Sequence, residues 1–315
     1  MLSRKRKLVP FSREDAFKEK EAFYSKKRFF SSYVIEDQRL ITGQNPWSPE
    51  AIDSKTGGSR MKHEIKIEVQ KCIGCGQCIK DCPEQNIRLI QNKAQIQSQN
   101  CMKCGHCVAI CPQNAVSMTG FDQEPIKCDQ KEMDPKEFLY TIQTNRSVRQ
   151  FQKKEIPNNV IQDLQEAARY MPTAKNMRDV ELIFLQKEQE QAEEIAVHLF
   201  RRLLKGLNLF SKRYRDFLID DQFFFKKAPL VVVVVGKDKT NAVLAASAMA
   251  LMAKAHGLGV LYSDFFTLAA HTSIKLKRML KIPKGKKVQI TLVIGYPSIK
   301  YARGVQREAL HVQSR

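Results

Sequence analysis

Two cysteine runs, CIGCGQCIKDCP at residues 72–83 and CMKCGHCVAICP at residues 101–112, determine how the first part of this chain folds. Both have the spacing C-x2-C-x2-C-x3-C-P, and each cysteine of the second run lies 29 residues after its counterpart in the first. Together the runs hold eight of the nine cysteines in the chain. The repeat therefore predicts a small module with two equivalent halves, each built around its own set of thiols.

This spacing is typical of bacterial ferredoxins that bind two [4Fe–4S] clusters. Three thiolates two residues apart can surround one cluster, while the fourth cysteine of each run points to the other cluster. We therefore expect one cluster to be held by Cys72, Cys75, Cys78 and Cys111, and the second by Cys82, Cys101, Cys104 and Cys107. A zinc ribbon is the alternative, although it uses pairs of C-x2-C and has no role for a third and fourth cysteine in each run. Two further residues could be metal ligands, but Cys128 is expected to be a buried structural thiol and His106 a loop residue.

Length and charge limit what else the chain can be. Its 315 residues suggest about two domains. The chain has 53 basic and 33 acidic side chains, and residues 131–315 carry +14 of the net charge of +20. No apolar stretch reaches the ~18 residues that a membrane span needs, and the N-terminus lacks the apolar core of a secretory signal. A cytoplasmic location is expected, where many cysteines indicate metal or redox chemistry more than disulfides.

The first 60 residues form a basic, polar extension that ends in a linker-like stretch, DSKTGGS, at residues 53–59. Residues 33–51 resemble the last strand and loop of the amidotransferase-like superfamily that contains intracellular proteases and deglycases. The nucleophilic cysteine of that superfamily is missing, because no cysteine precedes Cys72. We interpret the segment as a fusion remnant or as the product of a mis-set start, with Met61 as the alternative start. The predicted domains are residues 1–60, 61–130 and 131–315.

Residues 131–315 alternate between helical and strand patterns. Helices are predicted at residues 158–171, 191–217 (interrupted at Gly206) and 241–256, and strands at residues 179–185, 229–235 and 288–296. Five consecutive valines in the second strand indicate burial on both faces of a sheet. Helices that alternate with buried strands indicate a layered domain, and the fold class predicted for the whole chain is α+β.

Four motifs in this region occur in a fixed order. They are NRSVRQF at residues 145–151, MPTAKN at 171–176, HGLGV at 256–260 and LVIGYP at 292–297, the last followed by Lys300, Arg303 and Arg307. From about Phe138 onward the chain resembles the nitroreductase family of flavin mononucleotide (FMN) enzymes. The resemblance implies a mixed central sheet flanked by helices, and a homodimer with FMN bound at the interface by residues of both chains.

The resemblance also implies roles for individual residues. Arg146, Ser147 and Arg149 would hold the phosphate, the ribityl chain and the N1–O2 edge of the flavin, and Asn176 would bond its pyrimidine edge. Further implied contacts are the backbone amides around Ser263 and Asp264 near N5, and Arg303 or Arg307 at the phosphate. The chain departs from the family pattern at Asn145, Thr173 and Arg178, where a basic residue, Ser and Gln are usual. From the residues alone, Arg146 and Arg149 also fit a solvated pair, and Asn176 fits a turn residue.

Two further groups of side chains have open interpretations. Lys275, Lys277, Arg278, Lys281, Lys284, Lys286 and Lys287 form a basic run, either a solvated face or a docking face for an acidic electron-donor protein. Nucleic acid is not expected as a partner, since no recognition motif accompanies the charge. The aromatic residues Phe200, Phe210, Tyr214 and Phe217 are candidates for pocket walls or for plain core packing.

We expect an electron-transfer enzyme in which the cofactors carry the chemistry and no side chain acts as a nucleophile. Electrons would pass from a low-potential donor through two [4Fe–4S] clusters to FMN, and then to a nitroaromatic, quinone or enone acceptor. NAD(P)H remains a possible donor, because family members that use it bind it over the flavin. The alternatives are a non-catalytic electron carrier or redox sensor with a degenerate flavin domain, and an enzyme with the reverse electron flow.

Overall fold

The computed structural model describes residues 63–97, 101–121, 124–128, 132–210 and 217–315. These residues lie within one compact unit, Pro49–Arg315. The predictions for residues 1–60, including the linker and the amidotransferase-like stretch, fall outside the described residues. The boundaries of the three expected domains stay predictions.

The cysteine runs lie in a small segment with two antiparallel strand pairs. Its elements are β1 (Ile65–Ile67), α1 (Gln77–Lys80), β2 (Ile87–Ile90), β3 (Lys93–Ile96), α2 (His106–Ala109) and β4 (Val116–Met118). The strand β2 pairs with β3, and β1 pairs with β4 with Lys66 opposite Ser117. Each cysteine run is thus flanked by one strand from each pair, as the 29-residue repeat predicts.

The two short helices begin in the same way. Gly76 and Gly105 lie at their N-termini with φ values of 73° and 78°. This left-handed conformation favours glycine because a β-carbon would clash with the backbone there. The helices place Cys78 and Cys107 in a shared core with Ile87, Ala94, Ala115 and Val116.

A four-stranded sheet forms the centre of the larger segment. The elements are α3 (Pro135–Thr144), α4 (Asn158–Arg169), β5 (Glu181–Leu185), α5 (Gln189–Phe210), β6 (Leu230–Gly236), α6 (Lys239–Ala255), β7 (Gly259–Tyr262), α7 (Asp264–Thr272), α8 (Ile274–Met279) and β8 (Lys287–Gly295). The strand order is β5-β6-β8-β7, and each of these neighbouring pairs is antiparallel. A parallel bridge between Ser147 and Val260 makes the pairing mixed. The predicted α+β class is confirmed.

Helices cover both faces of the sheet. All seven residues of β6 are buried, because alternate side chains point into two separate cores. Val231, Val233 and Val235 pack with residues of α5, α7 and α8. The side chains between them pack with residues of α4 and α6. The layers are therefore helix, sheet and helix, and the valine run is buried on both faces as predicted.

Helix and strand bounds agree closely with the sequence patterns, with two differences. The helix α5 continues through Gly206, where interruption was expected; a β-carbon there would meet nothing within 4 Å. The last residues of that predicted helix, 211–216, fall outside the described residues. The elements α3, β7, α7 and α8 were not predicted from the pattern. The helix α6 ends at Gly257 as expected, with φ at 72°.

Among the residues that the structure describes, no helix is both long enough and apolar enough to cross a membrane.

Candidate functional site

The eight cysteines of the two runs lie around two separate cavities. One cavity is lined by Cys72, Cys75, Cys78 and Cys111, together with Ala94, Ala115 and Val116. The other is lined by Cys82, Cys101, Cys104 and Cys107, together with Ile65, Ile87 and Ile96. Each cavity therefore receives three cysteines from one run and the fourth from the other. This is the grouping that the spacing predicts, although their binding of a metal cluster stays a prediction.

Backbone amides point at several of the sulfur atoms. Ala94 donates to the Sγ of Cys72 at 3.3 Å, and Lys103 donates to the Sγ of Cys101 at 3.4 Å. The fourth cysteine of each run accepts an equivalent bond. The backbone N–H of Asn86 donates to the Sγ of Cys82 at 3.4 Å, and that of Ala115 donates to the Sγ of Cys111 at 3.3 Å. Hydrogen bonds to sulfur favour the thiolate and help to set the potential of a bound cluster.

The thiols differ in how readily they ionise. The backbone N–H of Ala94, followed by that of Gly74, lowers the pKa of Cys72. Burial raises the pKa of Cys107 to about 11, and the neighbouring Cys101 and Cys104 add to the effect. Four thiolates around one cavity repel each other, so a positively charged group between them is needed to keep all of them ionised at neutral pH.

Four cysteines line each cavity without meeting at one point. In the described part of the chain, no three Cys, His, Asp or Glu side chains converge as ligands of one metal ion. A tetrahedral zinc site requires four ligands on one ion at about 2.0–2.3 Å. The four thiolates of a [4Fe–4S] cluster surround a much larger group, so they need not meet at one point. Three cysteines from one run and the fourth from the other is the two-cluster pattern, whereas a zinc ribbon pairs two C-x2-C motifs; which metal group the cysteines hold stays a prediction.

Two neighbours of the cysteine runs were given roles from sequence. Cys128 is exposed, so its expected place as a buried structural thiol is wrong. Because it lies 17 residues beyond the last ligand candidate, the pattern gave no periodicity from which to judge its burial. His106 is the first residue of α2, so its expected place in a loop is wrong; the Gly105 turn before it starts the helix. Its Nδ1 lies 3.3 Å from a carboxylate oxygen of Asp81 at the end of α1.

Three of the four nitroreductase-like motifs meet at one end of the central sheet. Val148 donates its backbone N–H to the carbonyl of Val260 at 3.1 Å, beside the bridge between Ser147 and Val260. On the other side, Ser298 donates to Gln150 at 3.0 Å. The hydroxyl of Tyr301 donates to the carbonyl of Ser147 at 3.2 Å. The segment that carries Arg146, Ser147 and Arg149 is thus held between the start of β7 and the chain after β8.

Two motif glycines make this close approach possible. A β-carbon on Gly259 would lie 2.6 Å from the Cβ of Val148. A β-carbon on Gly295 would lie 2.6 Å from Pro229 and 2.9 Å from Phe151. Both distances are shorter than carbon atoms tolerate, so these positions have no room for a side chain.

The predicted flavin residues at this end differ in exposure. Arg146 is half-buried, whereas Ser147 and Arg149 are exposed, and Arg149 donates to the carbonyl of Ser147 at 3.4 Å. Arg303 is exposed two residues after Tyr301, and Arg307 lies further along the exposed C-terminal stretch. The structure therefore brings the Arg146–Arg149 segment and the chain around Arg303 to the same region.

Ser263 and Asp264 lie further along, where β7 gives way to α7. Ser263 is buried; its N–H donates to Thr291 at 2.8 Å and its hydroxyl to Phe224 at 3.2 Å. Asp264 is exposed at the first position of the helix. The backbone N–H of Ser263 is therefore already bonded to β8. Candidate donors to a ligand in this segment are the backbone N–H groups of the first residues of α7.

Asn176 lies at the opposite end of the sheet. The turn that carries it is fixed to the start of α6, since Ala174 donates to the Oδ1 of Asn241 at 3.0 Å. The strand β6 runs from Leu230, near the Val260 end, to Gly236, close to the start of α6; this span is about 20 Å. Within one chain, Asn176 is thus not brought together with Arg146 and Arg149. Its role as a flavin ligand stays a prediction.

The aromatic candidates pack mainly with each other. Phe200 makes edge contacts with Phe224 and Phe265, at centroid distances of 5.1 and 6.0 Å. Phe217 makes an edge contact with Phe223 at 5.6 Å. Phe200 therefore packs against the core, which was one of its two predicted roles, while Phe217 remains partly exposed. The side chains of Phe210 and Tyr214 lie outside the described residues.

Comparison with known proteins assigns the two segments. Residues 142–296 match the model of the nitroreductase family, and residues 64–112 match the model of a 4Fe-4S dicluster domain. No curated protein matches the chain. The chain therefore has two parts that match different families. It combines a domain of the nitroreductase family with a 4Fe–4S domain, as the four motifs and the cysteine spacing predict.

Solved structures similar to this chain are nitroreductases and related flavoproteins. An FMN-dependent nitroreductase from Clostridium difficile R20291 is 19% identical, with a TM-score of 0.45, over 56% of this chain and 98% of that one. A nitroreductase with bound FMN from Desulfitobacterium hafniense DCB-2 is 19% identical over the same shares, with a TM-score of 0.48. A BluB-like flavoprotein from Clostridium difficile 630 is 16% identical over 58% of this chain and 100% of that one, with a TM-score of 0.48.

Proposed function

We propose that this chain is an iron–sulfur flavoprotein oxidoreductase that delivers electrons to an organic acceptor of the nitroaromatic, quinone or enone class. The observation that carries the proposal is the presence of two four-cysteine cavities in the same chain as a nitroreductase-family domain. When bound, iron–sulfur clusters transfer single electrons, and FMN exchanges electrons singly or in pairs.

The cysteines would hold two [4Fe–4S] clusters in the groups that line the cavities. The first set is Cys72, Cys75, Cys78 and Cys111, and the second is Cys82, Cys101, Cys104 and Cys107. The amides that point at sulfur stabilise the thiolates, while the apolar lining limits the access of water. Both features suit a redox cluster, whose potential depends on hydrogen bonds to sulfur and on solvent exposure.

Arg146, Ser147 and Arg149 would bind FMN at the Val260 end of the central sheet. Guanidinium groups form strong, charge-assisted bonds with phosphate, and a hydroxyl adds a further donor. Arg303 is placed to join them, with Arg307 as the second candidate from the C-terminal stretch. A positive group near the N1–O2 edge of the ring stabilises reduced flavin, so Arg149 would also tune its potential.

A homodimer would complete the flavin site. Arg146 and Arg149 lie toward one end of the sheet and the turn that carries Asn176 toward the other, about the length of β6 away, so this turn would approach an FMN held by Arg146 and Arg149 only if those residues belong to a second copy. The helix α3 buries none of its residues and exposes Phe138, Leu139, Tyr140 and Ile142. The C-terminal stretch likewise exposes Leu310 and Val312 at 88% and 77%. Apolar surface of this extent is typical of a face that another protein chain covers.

The basic run is a suitable docking face for an acidic electron donor. Six of its seven side chains are exposed, whereas Lys286 is paired with Glu181. The run leads into β8 where Lys287 pairs with Gly236, at the same end of the sheet as the turn that carries Asn176. Opposite charges would steer a low-potential carrier protein toward this end. NAD(P)H is the second candidate donor, and the reverse flow of electrons uses the same site.

We place the protein in the cytoplasm, where cysteines remain reduced and available to iron. A non-catalytic carrier or redox sensor is the alternative function, and it predicts clusters without flavin.

Protein purified without oxygen distinguishes these two functions. Analysis should give about eight iron, eight sulfide and one FMN per chain, and sedimentation should show a dimer. Eight iron without flavin, even after incubation with FMN, would leave the carrier or sensor. The double variant Arg146→Gln/Arg149→Gln is the matched test of the flavin site: it should lose FMN and keep all of its iron.

A further inference from the structure

The loop between Cys101 and Cys104 is hydrogen-bonded to the turn formed by residues 173–178. The side-chain amide of Asn176 donates to the carbonyl of Met102 at 2.9 Å and to that of Lys103 at 2.8 Å. Arg178 donates a further bond to the carbonyl of Lys103 at 3.3 Å. The two accepting carbonyls thus lie between two cysteines of the second set, in the segment that would wrap around the bound cluster.

The Asn176 side chain is fully committed to this contact. Both of its N–H bonds point at the loop, and its Oδ1 accepts from the Nε of Arg178 at 3.2 Å. The two side chains therefore form one donor group, in which Arg178 fixes the orientation of the Asn176 amide. An amide held this way has no donor left for another ligand.

Backbone conformation on both sides of the contact is unusual. Lys103 has φ at 54°, and Lys175, Asn176 and Arg178 have φ between 47° and 52°. Residues with a β-carbon adopt this left-handed region at a cost in free energy, and such residues cluster at functional sites. Here the conformation turns the carbonyls of Met102 and Lys103 toward the turn.

The turn itself is fixed to the central sheet. Buried Asp179 accepts from the amides of Lys237 and Asp238 at 2.8 and 3.0 Å, and from the side chain of Asn241 at 2.7 Å. Asn241 in turn accepts from Ala174. The N–H of Arg178 donates to the hydroxyl of Thr173 at 3.0 Å and closes the turn. The cysteine loop is therefore bound to a rigid platform.

We propose that Asn176 and Arg178 are positioning residues: they form a latch that seats the Cys101–Cys104 loop on the nitroreductase domain. The latch would fix the cluster of Cys82, Cys101, Cys104 and Cys107 beside this turn, so that this cluster, rather than the other, would exchange electrons with the FMN that a second copy brings to this end of the sheet. The proposal rests on the proposed function. When bound, that cluster would supply one electron in each exchange, and the flavin would accept it. Two exchanges, with protons from solvent, complete the reduction.

The test uses the full-length protein with its cofactors. Asn176→Asp keeps the shape of the side chain but replaces two donors with a carboxylate that faces two carbonyl oxygens, and Arg178→Gln removes the guanidinium. Arg169→Gln is the matched control, since Arg169 is an exposed arginine that bonds Glu166 in its own helix. Two quantities are measured: hydrogen exchange of the amides of residues 102–105, and the rate at which reduced clusters reduce the flavin after rapid mixing with dithionite.

For Asn176→Asp we expect exchange of the loop amides to be at least tenfold faster and flavin reduction at least tenfold slower, with unchanged iron and FMN content. Arg178→Gln should show the same changes to a smaller extent, and Arg169→Gln neither. Wild-type exchange and electron-transfer rates in Asn176→Asp would overturn the proposal. Loss of FMN with unchanged loop exchange would also overturn it, because Asn176 would then be a flavin ligand. If the wild-type protein binds no FMN, the proposed function and the electron-exchange role both fail. The hydrogen-exchange result then tests by itself whether Asn176 and Arg178 seat the cysteine loop.

Discussion

Replacing Gly259 by alanine should weaken FMN binding without any change to a residue that contacts the flavin. The new β-carbon would lie 2.6 Å from the Cβ of Val148, which is only 4% exposed and has no room to retreat. Because Val148 lies between Ser147 and Arg149, the segment must shift away from β7. Overpacking of this kind costs about 1–3 kcal/mol. If the full cost of this displacement is lost from FMN binding, the affinity drops by about 5- to 140-fold, since 1.4 kcal/mol corresponds to tenfold.

The assay is fluorescence titration of flavin-free protein with FMN. Gly206→Ala is the matched control: a β-carbon there meets nothing within 4 Å, so it should leave FMN affinity unchanged and stabilise α5 by about 0.5–1 kcal/mol. The double variant Gly259→Ala/Val148→Ala removes the methyl group at 2.4 Å but keeps the Cβ at 2.6 Å, so it should recover only part of the lost affinity. A folded Gly259→Ala protein with wild-type affinity would refute the reasoning that this contact positions Ser147 and Arg149.

Three further predictions concern the clusters, the platform and the basic run. Cys111→Ala should lose about four of eight iron atoms while Cys128→Ala loses none; equal loss in both would contradict the grouping of the cysteines. Burial works to raise the pKa of Asp179, but the N–H of Asp238, the side chain of Asn241 and the N–H of Lys237 outweigh it and lower the pKa. Its stabilisation is thus complete above its unfolded pKa of about 3.9 and is lost as the pH falls through the lower folded value. Asp179→Asn should cost about 1.5–3 kcal/mol in urea unfolding at pH 7 and much less at pH 2; an equal cost at both would contradict this. Arg278→Glu/Lys281→Glu should slow reduction by an acidic carrier protein about tenfold at low salt but not at high salt, and a salt-independent effect would count against electrostatic docking.

Sequence patterns predict the structural features that depend on residues close together in the chain. The spacing of the cysteines decides which four can surround one cavity, and the valine run decides that β6 is buried on both faces. Gly206 was misjudged because its intrinsic cost in a helix is small compared with the packing that α5 gains along its length. The burial of Cys128 has no local signal at all.

Contacts between distant segments are much harder to predict. The bonds from Asn176 to Met102 and Lys103 join residues 74 and 73 positions apart, and no periodicity links them. One clue was present in the sequence: Arg178 stands where many nitroreductases have Gln, and its guanidinium now bonds Lys103. The separation of Asn176 from Arg149 along the sheet was equally hidden, because motif order shows sequence position and not which end of a strand a residue occupies.

The central claim is that one chain joins iron–sulfur clusters and flavin in a path to an organic acceptor. The most direct measurement mixes anaerobic, fully reduced protein with a nitroaromatic, a quinone and an enone, and follows the flavin and cluster absorbance after each mixing. We predict that at least one acceptor reoxidises the flavin and then the clusters, with a product reduced by the electrons lost. Cluster oxidation at the same rate in flavin-free Arg146→Gln/Arg149→Gln protein would contradict the account, because the clusters would then reach the acceptor without the flavin.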